Sequence, residues 1–89
     1  MSKKRKYIKI EDSAHSWTRV SIAEAKRLGV INNISESSYM RGRYIFLEED
    51  CDAPLFFEAK KRKKEKYIID NKFVMGTNIR NYERFALGA

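Results

Sequence analysis

The stretch Tyr44-Ile45-Phe46-Leu47-Glu48-Glu49-Asp50-Cys51-Asp52-Ala53-Pro54 decides how this chain folds. Its first four residues are aromatic, β-branched and apolar with nothing polar between them, the composition of a strand in the middle of a sheet. The acidic run that follows ends the strand and opens a helix. Asp52 is a good N-cap, and Pro54 in the first turn lacks only an N–H that would have gone unpaired there anyway. Leu55, Phe56 and Ala59 share one face, and the residues from Glu58 to Lys66 are nearly all strong helix formers. The pattern predicts a helix from 53 to about 66, roughly 20 Å long.

Working outward, Tyr39-Met40 leads through the turn Arg41-Gly42-Arg43 into the central strand, behind a polar loop over 32–38. Ser21-Ile22-Ala23-Glu24 is a capping box: the serine accepts from the backbone of Glu24, and the glutamate reaches back to the serine N–H. Ile22, Ala25 and Leu28 lie on one face and Gly29 supplies a left-handed stop, so a helix is expected over 21–28. Tyr7 to Ile10 and Trp17 to Val20 read as short strands with a turn over 13–16 between them. Beyond the second helix, Tyr67-Ile68-Ile69 and Lys72-Phe73-Val74-Met75 read as a hairpin closed at Asp70-Asn71. Ile79, Tyr82, Phe85 and Ala86 have helical spacing behind Thr77-Asn78, or form an extended edge. The expected architecture is α+β: a three- to five-stranded, mostly antiparallel sheet with two short helices packed on one face.

The chain has 89 residues, 43% hydrophobic and 35% charged, enough apolar material for one core. A flexible basic arm over 1–6 followed by a single domain over 7–89 is the expected organisation. One cysteine, Cys51, allows no internal disulfide, and no apolar run reaches the ~20 residues of a membrane span. No apolar segment follows the basic start, as a signal peptide requires. A cytoplasmic setting with no membrane partner is expected.

Charge is the main functional clue. Residues 1–10 carry +5 and residues 60–66 carry +5, so the total of +7 leaves −3 on the rest. The bases are Lys3, Lys4, Arg5 and Lys6 at one end of the chain and Lys60, Lys61, Arg62, Lys63, Lys64 and Lys66 at the tail of the second helix. Helix-dipole complementarity accounts for two or three bases in a last turn and not for six. Successive helical positions differ by about 100°, so five consecutive bases point in all directions and must project into water. Their repulsion is relieved by a polyanion. Lysine-rich runs contact phosphates and position a protein without reading sequence, and Arg41, Arg43, Tyr39 and Tyr44 around Gly42 add the means to stack on bases. Non-specific nucleic-acid binding is the expected function. The alternative is a module that binds or inhibits a host protein through Trp17, Tyr39, Arg80 and Tyr82.

Catalysis is not expected. One histidine and one cysteine cannot build a zinc site, and the acidic cluster lacks the spacing and glycine of a calcium loop. Neighbouring carboxylates raise the Cys51 thiol's pKa, and no phosphate-binding glycine loop is present. No metal and no cofactor is therefore assigned.

One resemblance spans about half the chain. It rests on His15-Ser16-Trp17-Thr18-Arg19-Val20, Ala25 to Leu28-Gly29-Val30 and Ser38-Tyr39, then Tyr44 to Ala53, Ile79-Arg80, Tyr82 and Arg84-Phe85. In these residues the chain resembles a loose group of small proteins carried by tailed bacteriophages and related mobile elements. The resemblance implies an infected bacterial cell as the setting; it involves no active-site motif, so no particular activity follows from it. The Lys60–Lys66 run departs from the group, whose corresponding helix is less basic.

Overall fold

In the computed structural model, which describes residues 5–75 and 77–86, β4 (Tyr44–Glu48) is an interior strand. It lies between β2 (Ser16–Ser21) and β3 (Tyr39–Arg41), antiparallel to both. β1 (Arg5–Glu11) pairs antiparallel with β2, and β5 (Tyr67–Phe73) runs parallel to β1 at one edge. The two-residue β6 (Glu83–Arg84) pairs with β3 at the other edge, giving the order β5-β1-β2-β4-β3-β6.

Strand alternation divides the apolar residues between two faces. Tyr7, Val20, Ile45 and Leu47 meet α1 (Ile22–Arg27) and α2 (Ala53–Arg62), which supply Ala25, Phe56, Phe57 and Ala59, with Leu28 at the C-cap of α1. Ile45, Leu47 and Phe56 are wholly buried there, each contributing roughly 1.5–3 kcal/mol. Trp17, Tyr39 and Phe46 point to the opposite face, where Ile79 from a 3₁₀ turn over Ile79–Asn81 completes a second cluster. The fold is α+β with both helices on one face. Among the described residues it has six strands in a mixed sheet, where three to five mostly antiparallel strands are expected from sequence.

The largest difference is at residues 67–75. No hairpin forms there. A tight hairpin of the expected type needs positive φ at both central residues, and neither Asp70 nor Asn71 has it. The segment instead continues as one strand, because an unbroken parallel register from Arg5↔Tyr67 to Glu11↔Phe73 lets Tyr67 and Ile69 pack on the helix-side core. The C-terminal stretch forms a 3₁₀ turn and a short strand rather than a helix. Arg5 and Lys6, assigned from sequence to a flexible arm, are the first residues of β1. Lys3 and Lys4 lie outside the described residues.

Helix ends follow the local signals in part: Asp52 stands at the N-cap of α2, but its carboxylate accepts from Ser35 and Ser38 and not from the helix backbone. The backbone N–H of Glu24 donates to Ser21 Oγ at 3.0 Å. The Glu24 side chain does not return to the serine, because it is committed to a buried ion network. Gly29 (φ 76°) stops α1. The second helix ends at Arg62, short of the expected 66, in a Schellman motif. Glu65 N–H donates to Lys60 C=O at 3.0 Å and Lys64 N–H to Lys61 C=O at 2.9 Å. The left-handed position of that motif is held by Lys64 (φ 57°), where glycine would avoid a cost of about 1 kcal/mol.

Candidate nucleic-acid interface

The sheet register sorts charge to opposite ends. β1 begins beside the start of β5, the finish of β2 lies next to the start of β4, and Arg41 at the end of β3 faces Tyr44. α2 leaves the far end of β4 and runs back about 15 Å toward this same end. The result is one end carrying Arg5, Lys6, Arg41, Arg43, Lys61, Arg62, Lys63, Lys64 and Lys66, all exposed. The opposite end carries Glu11, Asp12, Glu48, Glu49, Asp50 and Asp52. Two basic segments far apart in sequence are thus joined by the parallel β1–β5 pair. Among the described residues, no carboxylate lies within ion-pair distance of Lys61, Arg62, Lys63, Lys64 or Lys66.

Lys60 is the exception within the run. It is 1% exposed, and its ammonium donates to Glu24 Oε2 at 2.9 Å and to Glu65 Oε1 at 3.1 Å. Lys60 therefore belongs to the domain's interior and not to its exposed basic end. The sequence carried a signal for this: Lys60 is four residues after Phe56 and three after Phe57, which puts it on the apolar face of α2. Tyr7 donates its hydroxyl to Glu24 Oε1 at 2.7 Å, and Arg27 grips Glu65 with two nitrogens at 2.7 and 2.8 Å. Arg27 also reaches Glu24 at 3.0 Å, and Arg5 lies 3.6 Å from it. This network ties β1, α1 and α2 together and takes up Glu24 and Glu65, while Asp70 lies 3.6 Å from Lys6.

The network's titration follows from its geometry. Burial by itself would raise the Glu24 carboxyl, but hydrogen bonds from Lys60 and Tyr7 hold it below its usual range. Glu65, gripped chiefly by Arg27 and then by Lys60, is lowered to about 2. Burial pushes the Tyr7 phenol up to about 12. Folded carboxyls that titrate lower than unfolded ones contribute stability that is complete above the ordinary value and disappears as pH falls toward the folded one. The melting temperature should therefore drop between pH 4.5 and about 2. Glu65→Gln should flatten part of that limb in melts recorded across the range.

Aromatic rings accompany the bases. Arg19 lies 4.8 Å from the ring centre of Tyr44, and Arg41 lies 5.0 Å from that of Tyr82. A shallow cavity of about 180 Å³ at the basic end is lined by Arg5, Lys6, Arg19 and Tyr44, among others. Tyr44 is 38% exposed. Arg19 was not singled out from sequence, because its approach to Tyr44 depends on the β2–β4 pairing.

Of the residues assigned from sequence to a protein-binding surface, Arg80 is exposed, Tyr82 is half-buried, and Trp17 and Tyr39 are buried. Trp17 and Tyr39 are 2% and 8% exposed and form the centre of the second apolar cluster. Arg80 lies across Trp17 at 5.3 Å and also pairs with Asp12 at 2.9 Å. Tyr82 packs on Phe46. A lone tryptophan on a two-sided sheet goes where the C-terminal segment can cover it.

Cys51 is exposed, and its thiol is raised chiefly by a hydrogen bond with Glu48. Among the described residues no group of three or more His, Cys, Asp or Glu is arranged to hold a metal ion. No described helix is long and apolar enough to cross a membrane. No family model, curated protein or solved structure matches the chain.

Proposed function

We propose that the chain is a small non-enzymatic accessory protein that binds nucleic acid without sequence specificity. The contacts are made by the basic end of its sheet. The observation that carries this reading is the cluster of Lys61, Arg62, Lys63, Lys64 and Lys66, none of which has a carboxylate within ion-pair distance among the described residues, beside Arg5 and Lys6, which pair with Glu24 and Asp70 at 3.6 Å. A cluster of like charges that the domain does not neutralise raises the local potential and draws a polyanion. Lys64 supports it as well, since a charged side chain stands where glycine would be the less strained choice. Tyr44 and the neighbouring arginines supply flat surfaces on which unpaired bases can stack. By its resemblance, the setting is a bacterial cell carrying phage or a related element.

The salt dependence of binding tests this reading. With about five phosphate contacts, log K should fall against log[salt] with a slope of about −4 to −5 on duplex DNA and about −3.5 on a single strand. Fluorescence anisotropy with labelled oligonucleotides of unrelated sequence should give similar slopes for each. A slope near zero, or no binding at about 50 mM salt, removes the proposal.

A further inference from the structure

The β5 edge carries a second kind of surface. Apart from β1, no described strand pairs with β5, and its last residue Phe73 (64%) and the two that follow it, Val74 (42%) and Met75 (86%), are exposed, with Ile68 at 47%. Unpaired edges of this length are normally guarded by charge, because their free N–H and C=O groups template another strand. Here the guard is self-cancelling: Asp70 and Lys72 flank Asn71, one acid and one base, and Asp70 already lies 3.8 Å from Lys72 and 3.6 Å from Lys6 of β1 within the chain.

The order of residues about Asn71 is symmetric in character. Reading outward, Asp70 is balanced by Lys72, Ile69 by Phe73, Ile68 by Val74 and Tyr67 by Met75. The backbone fits the same centre. Val74 N–H donates inward to Glu11 C=O at 2.8 Å, so by alternation Ile69, Asn71 and Phe73 turn their N–H and C=O groups outward. We propose that β5 is a self-pairing edge, along which two copies join antiparallel with Asn71 opposite Asn71 on a two-fold axis.

In that register Asn71 and the Ile69–Phe73 pairs exchange hydrogen bonds. The Asp70–Lys72 and Ile68–Val74 pairs fall at the closely spaced non-hydrogen-bonded positions, where cross-strand side chains meet best. A two-fold axis normal to the sheet requires each strand to pair about a single residue. Centring on Asp70 or on Lys72 sets like charges opposite each other. Centring on Ile69 leaves Phe73, Val74 and Met75 unpaired. Charge complementarity therefore selects both the occupant, a second copy, and the register. The interface is small, below roughly 1,200 Å², so a dissociation constant near the micromolar range is expected. A net charge of +7 on each copy opposes association, so the dimer should tighten as salt rises, the reverse of nucleic-acid binding.

Sedimentation equilibrium of the full chain without nucleic acid, at low and high salt, is the test. The expected result is a monomer–dimer equilibrium that Asp70→Lys and Lys72→Asp each weaken about tenfold or more. The double variant Asp70→Lys/Lys72→Asp should return affinity to within about threefold of the original. Hydrogen exchange should show Ile69, Asn71 and Phe73 amides gaining protection with concentration, while Ile68 and Asp70 do not change. A dimer indifferent to both single charge reversals overturns the proposal. So does a chain that remains monomeric to about 1 mM with those three amides unprotected, an outcome that leaves the edge to a strand from another protein.

Discussion

Lys60→Met should lower the melting temperature by on the order of 15–25 °C, the largest effect expected of any single substitution in the basic run. Lys60 is 1% exposed, and its ammonium lies between Glu24, itself 5% exposed, and Glu65. Methionine fills the same volume against Phe56 and Phe57 but leaves a buried carboxylate short of its closest cation. Breaking one side of such a pair costs about 3–5 kcal/mol, against a total stability of about 4–13 kcal/mol for a domain this size. Removing both members, as Lys60→Met/Glu24→Leu, should recover much of the loss, because no charge is then stranded. Thermal melts of the three proteins decide the matter. A single variant that melts within about 2 °C of the parent would show that Lys60 is not bound into the network.

The second large effect separates the interior lysine from its neighbours. Replacing Lys61, Arg62, Lys63, Lys64 and Lys66 together by glutamine should reduce nucleic-acid affinity by about 10³-fold or more near 50 mM salt and remove most of the salt slope. The fold should hardly notice. These side chains are exposed, exposed substitutions usually shift stability by less than about 0.5 kcal/mol each, and easing their mutual repulsion offsets lost dipole contacts. Affinity and melting temperature should therefore respond in opposite ways to the two experiments: Lys60 moves stability, and the five exposed bases move binding. Full binding retained by the glutamine variant would place the phosphate contacts elsewhere.

A good part of this protein is legible in short windows of its chain. Pro54 after the acidic run starts α2, Ser21 caps α1, Gly29 ends it, and the apolar run at 44–47 is an interior strand. Each depends on interactions within about four residues, which sequence displays directly. The Asp70-Asn71 dipeptide misleads for the same reason. Its turn preference is local and weak, and it yields to seven residues of pairing with β1, to the packing of Tyr67 on Tyr7 and Phe57, and to that of Ile69 on the helix-side core.

By itself, then, the sequence determined the α+β class, the start of α2 and both ends of α1, and the presence of two basic segments. Only the tertiary structure decided that those segments meet, that Lys60 turns inward while its neighbours do not, and that Trp17 and Tyr39 are core. The physical reason is range. Capping and periodicity act between residues close along the chain, whereas the pairing of Arg5 with Tyr67 and the grip of Glu24 on Lys60 join distant ones. Those contacts exist only once the sheet has brought their strands and helices together.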